Sequence, residues 1–239
     1  MRVTLPAAAS LTTAVEPSCY SRLTNEWFCS QYFVDRRDDL VDATVEHIWI
    51  TVAAVAFRVL LAFPLALLAR RYPRLESTTL GVSTGLYMVP SLALFPLLSP
   101  FTGLSRTTVV IGLGLYALTI LVRSILEGLR GVPEEVRESA TGLGYGAGKL
   151  LLRIELPLAL PVIMAGLRVA TVSTVALTTV GTIVANGGLG NLIKDGVNND
   201  FRAELMAAAL LCVVLAVILD VLLVLTQRVL TPWTRGVRT

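Results

Sequence analysis

The chain has 239 residues, of which 54% are hydrophobic and only 15% are charged, and its mean hydropathy is +0.72. Soluble globular domains carry roughly 25% charged residues, so this composition indicates a membrane protein. The formal net charge of +3 comes mostly from short loops and does not suggest nucleic-acid binding. Cys19, Cys29 and Cys212 lack the spacing of a metal site.

Residues 1–44 are mixed and polar, and four aspartates precede the first apolar run. The opening stretch carries one arginine and a weak apolar segment that Pro6 interrupts, a pattern that disfavours a cleaved signal peptide. We therefore expect residues 1–44 to form a solvated, partly disordered arm.

Five apolar runs follow, and each is long enough for a helix to cross a hydrocarbon core of roughly 30 Å. They cover about residues 47–69, 79–102, 107–129, 157–185 and 205–225. The runs predict one all-α, polytopic membrane domain over residues 45–230, followed by a short tail at 231–239. No internal repeat is visible, so a chain of this size would need a second subunit to enclose a path.

Basic residues cluster at the ends of the runs, and positively charged loops stay in the cytoplasm. They are Arg70, Arg71 and Arg74 after the first run, Arg123, Arg130, Arg137, Lys149 and Arg153 around the stretch between the third and fourth, and Arg228, Arg235 and Arg238 at the end. This distribution predicts an N-terminus outside the cell membrane and a cytoplasmic C-terminus. Cys19 and Cys29 would then lie in an oxidising space, and the sequence leaves open whether a disulfide joins them.

The stretch at residues 130–161 is a long polar interruption with its own helix signals. Pro133 followed by two glutamates predicts a helix start, and the helix is expected to end near Thr141, before a series of glycines. A second short amphipathic segment, residues 149–155, is expected to stop at Pro157. Two short helices at an angle would present a small knob outside the bilayer.

Two patterns in this stretch resemble nucleotide-binding loops, but both fail on context. The spacing of Gly142, Gly144 and Ala147 resembles a dinucleotide fingerprint without the preceding strand. The Gly148-Lys149 pair resembles the end of a phosphate loop, yet leucine follows where serine or threonine would bind magnesium. No cofactor is therefore expected on this chain, and ATP is expected to bind another polypeptide.

The fourth run places four threonines three or four residues apart, on one helical face. They are Thr171, Thr174, Thr178 and Thr182. Such a face is typical of the wall of a water-filled translocation path, and equally of helix packing inside a bilayer. Both alternatives are open from the sequence.

Two charged residues lie within apolar runs, Arg58 in the first and Asp220 in the fifth. An unpaired charge there costs about 3 kcal/mol or more, so each is expected to face the bundle interior or water. We hypothesise that they form an intramembrane ion pair, and structural pairing is favoured over a substrate role. A membrane enzyme using these charges would lack a nucleophile with a base at workable spacing.

Aromatic and histidine side chains offer two further candidates. His47, the single histidine, sits beside Trp49 where the first run begins, which favours an anchor at the membrane interface. Trp27, Tyr87 and Tyr116 could offer ring faces to a quaternary ammonium group.

The central stretch carries one motif of wider significance. Its fixed positions are Glu138, Ser139, Ala140, Gly144, Ile154, Leu156 and Pro157. The pattern resembles the cytoplasmic loop signature of permease subunits of binding-protein-dependent ABC importers, with serine at one position where that signature has alanine. Segments such as EHIWITV, MVPSLALFPLLSPFTGL, GLRVATV and GGLGNLI are similar to the osmoprotectant branch of those permeases, which import glycine betaine, choline, carnitine or proline.

The resemblance implies an all-α fold of about five transmembrane helices, with the type I ABC importer permease architecture. It implies a coupling loop at residues 130–157 that docks on an ATP-binding subunit, a second permease subunit, identical or paralogous, and an extracytoplasmic substrate-binding protein. The chain itself would not be an enzyme. A permease for another small solute, such as an amino acid, is the first alternative, and an ion channel is a more distant one.

Overall fold

The computed structural model describes residues 18–184 and 186–233, and within those ranges the chain forms eleven α-helices. They are α1 (Ser30–Asp35), α2 (Arg37–Arg71), α3 (Pro73–Met88), α4 (Ser91–Thr102), α5 (Arg106–Tyr116), α6 (Leu118–Arg130), α7 (Glu134–Gly142), α8 (Ala147–Leu150), α9 (Leu156–Thr178), α10 (Leu189–Asn198) and α11 (Arg202–Leu230). A π-helical turn, Leu151–Glu155, joins α8 to α9, and a 3-10 segment, Thr179–Val184, follows α9. The predicted all-α class is confirmed.

Membrane-spanning helices account for most of the fold. Three helical stretches are long and apolar enough to cross a membrane, namely Arg37–Arg71, Ala147–Val184 and Arg202–Leu230. Two bent pairs, α3 with α4 and α5 with α6, raise the number to five when each pair counts as one span. The five predicted runs therefore correspond to three long helices and two broken ones.

The two bent spans were expected to be continuous, and each break has a local cause. α3 and α4 meet at 105°, where Pro90 excludes Val89 from the helical region and leaves it at φ −64°, ψ 127°. α5 and α6 meet at 40°, with Ala117 at φ −101°, ψ 21° between them. The second break has no proline or glycine at its centre, so the local sequence does not predict it.

The core of the bundle forms where α2 packs between α6 and α9. Ala62, Ala66 and Ala69 lie on one face of α2 and are fully buried. Small residues let membrane helices approach closely, and the larger side chains of α6, such as Ile125, fill the space against them. The C-terminal half of α2 therefore packs closely against α6 and α9.

The segment before the first span is ordered, which corrects the expectation of a solvated arm for residues 18–44. A disulfide joins Cys19 to Cys29, with the two Cα atoms 5.7 Å apart. Asn25 Nδ2 donates to the Asp200 carbonyl at 2.6 Å, and the Arg202 amide donates to Asn25 Oδ1 at 3.0 Å. Residues 18–36 thus form a cap tied to the start of α11.

Aromatic packing completes this cap, and α2 extends it. Tyr32 on α1 is 2% exposed and stacks edge-on against Phe201, with ring centroids 5.4 Å apart. α2 begins at Arg37, ten residues before the predicted start of the first run. The cap therefore lies at the N-terminal end of α2, opposite to the end where Arg70 bonds Glu155. The predictions for residues 1–17 and for the tail beyond residue 233 lie outside the described residues.

The disulfide leads to a thiol count that can be measured. We expect the unfolded, unreduced protein to react with one equivalent of maleimide, at Cys212, and with three equivalents after reduction, because the structure leaves Cys212 free and joins the other two cysteines. A titration with mass spectrometry checks both values. Three reactive thiols before reduction, in protein kept oxidised during purification, would contradict the cap described here.

Candidate functional site

α7 is a short helix that projects beyond the end of α6. Pro133 caps it, and Glu134 and Glu135 occupy its first turn, where carboxylates interact favourably with the positive end of the helix dipole. The Ser139 hydroxyl donates to the Glu135 carbonyl at 2.7 Å. The predicted helix start is confirmed, and the helix ends at Gly142, one residue beyond the predicted end.

The glycine of the motif ends α7 by its backbone geometry. Gly144 has φ +83°, a left-handed conformation that side chains disfavour. Its amide donates to the Thr141 carbonyl at 2.9 Å, and the Tyr145 amide donates to the Ala140 carbonyl at 3.1 Å. These two bonds are a Schellman motif, which satisfies carbonyls left free at a helix end. No atom lies within 4 Å of the place where a Cβ would stand, so conformation and not space requires glycine here.

The motif residues of α7 divide into an outer and an inner set. Glu138 and Ser139 are exposed, whereas Ala140 is only 5% exposed. The Ala140 methyl group therefore packs inward, a direction that the motif does not reveal. Leu143 is 80% exposed at the turn after α7, and sequence reasoning missed it although an apolar residue among turn glycines is a visible signal.

A buried carboxylate lies inside the motif, at a position that the sequence pattern leaves variable. Glu155 is 3% exposed and accepts two hydrogen bonds from Arg70, at 2.7 Å from Nη1 and 2.6 Å from Nη2. Arg137 Nε lies 3.3 Å from Glu155 Oε1 and forms an ion pair with it. We call these three residues the Glu155 cluster; it joins α2, α7 and the foot of α9.

The second half of the motif lies in a continuous helical rod. Ile154 lies within the π-helical turn, and Leu156 and Pro157 begin α9; all three are half-buried. The prediction that the helix stops at Pro157 is wrong. A proline is tolerated in the first turn of a helix, and the π-helical turn before it absorbs the change in hydrogen bonding. The chain therefore runs from Ala147 into the membrane without a break.

Arg58 is a buried cation whose bonding partners carry no formal charge. It is 0% exposed and lies between α5 and α9. Nε donates to the Gly114 carbonyl at 3.4 Å, and Nη2 donates to the Leu113 carbonyl. Nη1 donates to the Ala170 carbonyl at 3.1 Å and to the Thr174 hydroxyl at 2.9 Å. Backbone and hydroxyl dipoles thus satisfy this cation.

The bend of the third span explains why a cation is needed at this point. α5 ends at Tyr116, and the last four carbonyls of a helix have no partner within it. The carbonyls of Leu113 and Gly114 belong to that set. They also lie at the negative end of the helix dipole, which attracts a cation, and unbonded polar groups in hydrocarbon are costly. Arg58 therefore stabilises the broken span.

Asp220 does not pair with Arg58, which corrects the predicted ion pair. Its carboxylate accepts two hydrogen bonds from Arg168 of α9, each at 2.8 Å, from Nε and Nη2. Both side chains are about one-third exposed on the side of the α9–α11 contact. The GLRVATV segment contains Arg168, but the sequence does not show that the helix face carrying Arg168 packs against α11.

The threonine face of span four is turned into the bundle. It consists of Thr171, Thr174, Thr178 and Thr182. Thr174 and Thr178 are 0% exposed. Thr174 bonds Arg58, and the Thr178 hydroxyl lies 3.3 Å from that of Thr51 on α2. Of the two alternatives for this face, the geometry supports helix packing, with Thr182 half-buried at its end.

Sequence reasoning missed a polar face on α6. It consists of Thr119, Arg123, Glu127 and Arg130, spaced four, four and three residues apart. Arg123 and Glu127 are exposed, and the Arg123 Nη2 donates to the Thr84 hydroxyl of α3 at 3.4 Å. Charges within a span do not face lipid without cost, so this face is suited to water or to another protein chain. The spacing of these polar residues, three or four apart, indicates from the sequence that they share one helix face.

The histidine and aromatic candidates are separated by the fold. His47 is fully buried, and its Nε2 donates to the Val175 carbonyl at 3.0 Å, so the predicted interfacial anchor is wrong. Tyr87 and Tyr116 do meet, with ring centroids 5.0 Å apart. Trp27 lies in the cap, against the guanidinium of Arg202. The three rings therefore do not form one cage within the chain.

Comparison with known families gives a clear match over most of the chain. Residues 58–236 match the family described as the binding-protein-dependent transport system inner membrane component. The matched region contains α7, the Glu155 cluster, Arg58 and Asp220, and it leaves out the cap.

Two curated proteins are similar over nearly their whole length. The osmoprotectant import permease protein OsmW of Salmonella typhimurium is 34% identical over 212 residues, which cover 87% of this chain and 98% of that protein. The choline transport system permease protein OpuBB of Bacillus subtilis is 32% identical over 202 residues, covering 84% and 93%.

A solved structure has the same fold. A chain of the MetNI methionine ABC transporter, in an inward facing conformation, superposes with a TM-score of 0.68 and 20% sequence identity, covering 86% of this chain and 99% of that chain. This likeness confirms the architecture of a type I importer permease and does not by itself indicate a cargo.

The left-handed glycine leads to a local prediction. Gly144→Ala should weaken the end of α7 by about 1–2 kcal/mol, since a Cβ disfavours that conformation by this amount. Hydrogen exchange of peptides covering residues 134–150 should then show faster exchange. The matched control is Gly148→Ala, whose added Cβ meets nothing within 4 Å and whose φ is not positive. Equal exchange in the two variants would contradict the role assigned to Gly144.

The two intramembrane arginines predict opposite outcomes in double-mutant cycles. Arg168→Ala and Asp220→Ala should couple by roughly 0.5–3 kcal/mol, because the two side chains bond directly. Arg58→Ala and Asp220→Ala should be additive within about 0.5 kcal/mol. Unfolding free energies measured in mixed micelles give both values. Coupling in the second cycle with additivity in the first would restore the pair expected from the sequence.

Proposed function

Because the chain belongs to the family of binding-protein-dependent transport system inner membrane components and is the permease subunit of an importer, we propose that its cargo is an osmoprotectant. The cargo class is that of glycine betaine, choline, carnitine or proline. A permease subunit makes and breaks no bond in the solute, and the chain is not an enzyme. The family works with an ATP-binding subunit and a substrate-binding protein, so this chain has partners of both kinds.

The observation that carries the cargo proposal is the similarity to permeases whose names specify osmoprotectant and choline transport. It extends over 84–87% of this chain, spans as well as loops. The fold shared with the methionine transporter supports the architecture only, because folds host many cargoes. An amino acid or another small solute is the alternative that a transport measurement decides.

The docking surface for the ATP-binding subunit is proposed to be the outer side of α7 and the turn that follows it. Glu138 and Ser139 are exposed there, and Leu143 projects beside them as an apolar contact. A carboxylate can accept charge-assisted hydrogen bonds from a partner, and an exposed leucine can bury apolar surface against one. Support for this assignment comes from the motif and from the rigid end that Gly144 gives to the helix.

The orientation proposed for the chain follows the charges at its span ends. The protein is a multi-pass membrane protein, and we place α7 and α8 in the cytoplasm, with the cap of residues 18–36 outside. Arg70, Arg137 and Arg153 at one end of the bundle support this orientation, since positive loops are retained inside. Residues 1–44, 45–230 and 231–239 would be the outer arm, the membrane domain and the cytoplasmic tail.

The translocation path is proposed to follow the polar face of α6 where it meets α3, and a second permease subunit would close it. The exposed charges of Arg123 and Glu127 support this choice, because water or another subunit must solvate them. Tyr87 and Tyr116 lie further along the same seam and offer ring faces to a cationic group. The threonine face of span four, first considered for this role, is occupied by contacts with α2.

Uptake by a reconstituted complex tests the cargo. The chain, its ATP-binding subunit, the second permease subunit and the binding protein would be placed in vesicles and offered radiolabelled glycine betaine, choline, carnitine, proline and methionine. ATP-dependent accumulation of one of the first four is expected. Accumulation of methionine alone would replace the proposal with the amino-acid alternative. Conductance by the isolated chain without ATP would indicate a channel.

The docking surface has its own prediction. Glu138→Lys should lower ATP-dependent uptake at least roughly fivefold, the lower range of measured coupling effects, because it reverses the charge offered to the partner. Membrane insertion, measured by the amount of folded protein, should be unchanged. Glu26→Lys, at an exposed position in the cap and away from α7, serves as a charge-matched control. Full uptake with Glu138→Lys would remove Glu138 from the docking surface.

A further inference from the structure

The Glu155 cluster connects the docking helices to the membrane spans through side chains. Glu155 is 3% exposed and belongs to the π-helical turn that leads into α9. Arg70 belongs to the last turn of α2. Arg137 is on α7, midway between Glu134 and Ala140 in the sequence. One carboxylate therefore contacts two arginines from different helices at the end of the bundle.

Arg137 also holds α7 against the end of α6. Its Nη2 donates to the Leu129 carbonyl at 3.0 Å, and lies 3.4 Å from the Arg130 carbonyl, which it also contacts. Its Nε faces Glu155 Oε1 at 3.3 Å without the alignment of a hydrogen bond, so this contact is ionic. α7 is thus attached by one side chain both to the end of the third span and to the foot of the fourth.

The covalent links to α7 are short. Gly131 and Pro133 lie between α6 and α7, and the turn to α8 contains Gly144 and Gly146. Ala140 adds an apolar contact, but apolar contacts are non-directional. The two-pronged Arg70–Glu155 contact fixes both distance and angle between the end of α2 and the foot of α9. Arg137 joins α7 to this pair through its ion pair with Glu155 and to the end of α6 through its hydrogen bond to the Leu129 carbonyl.

A stability role alone would not require this arrangement. Well-packed apolar side chains of similar volume commonly stabilise a buried site as well as an ion pair does. What the charged cluster adds is a defined geometry among α2, α7 and α9. That geometry matters if movement at α7 has to reach two spans together.

We propose that Arg70, Arg137 and Glu155 are positioning residues that transmit movement of the docking helices to the first and fourth spans, a proposal that rests on the proposed coupling role of α7. When the ATP-binding subunit displaces α7, Arg137 moves Glu155 and with it the foot of α9. Arg70 makes the end of α2 follow the same displacement. In the absence of the cluster, α7 would move without these side-chain links to the first and fourth spans.

Three variants of the reconstituted complex test this. Glu155→Gln keeps the shape and removes the charge. The triple variant Arg70→Met, Arg137→Met, Glu155→Met removes all charges and keeps comparable volume, so it is expected to assemble. Glu46→Gln is the matched control, because it breaks an ion pair between α2 and Arg106 of α5 at the opposite end of the bundle, without touching α7 or the polar face of α6.

Two readouts separate transmission from stability. The first is glycine betaine transported per ATP hydrolysed, which should fall at least roughly fivefold in the first two variants, with ATP hydrolysis retained and the ATP-binding subunit still co-purifying. The second is hydrogen exchange at residues 60–71 in the vanadate-trapped complex, in which ADP and vanadate imitate the transition state of ATP hydrolysis. A change there is expected in the wild type and in Glu46→Gln, and its loss is expected in Glu155→Gln and the triple variant.

The outcomes are distinguishable from a failure of the cargo proposal. If the wild-type complex transports another solute, and the vanadate response at residues 60–71 is present in the wild type and lost in Glu155→Gln and the triple variant, the cluster is supported and only the cargo is overturned. A triple variant with wild-type transport per ATP overturns the proposal. A triple variant that assembles no better than Glu155→Gln, with both losing the ATP-binding subunit, also overturns it, because the cluster would then serve stability alone.

Discussion

Every backbone polar group within a bilayer must be bonded inside the protein, and this constraint governs how the chain can bend its spans. Two of the five spans are broken, by 105° at Val89–Pro90 and by 40° at Ala117. At the second break, carbonyls at the end of α5 accept bonds from Arg58. One side chain of α2 therefore stabilises the bend of the third span by bonding its free carbonyls. The same side chain links α2 to α5 and α9 at the middle of the bundle.

The same constraint requires a polar partner for each of the other charges within the spans. Arg58 lies 13 residues from the end of α2, Arg168 lies 12 residues from the start of α9, and Asp220 lies 10 residues from the end of α11. At 1.5 Å per residue, all three are within about 5 Å of one depth. Depth therefore allows either arginine to pair with Asp220. Only the direction in which each helix face points makes Arg168 the partner and leaves Arg58 to the carbonyls.

At the cytoplasmic end proposed for the bundle, the structure adds a physical basis to the sequence motif. Its glycine ends α7 through a left-handed turn, and its proline begins α9 after a π-helical turn. Between them, Glu155 gathers arginines from two other helices. The exposed motif residues are thus available to a partner, while the buried ones fix the helices that the partner would move.

The sequence alone determined the all-α class, the positions of the five apolar runs, the start of α7 and the identity of the family, because each depends on local composition, spacing or a short motif. It could not determine the breaks within two spans, the ordered cap at residues 18–36, the inward direction of Ala140 or the partner of Asp220. Those features depend on how helices distant in the sequence rotate and approach one another. Arg58 shows the difference most clearly. A charge within an apolar run indicates that the side chain needs polar partners, but it does not identify them. Only the tertiary structure decided that the partners are carbonyls of a broken helix, because helix packing brings Arg58 and α5 together although they are distant along the chain.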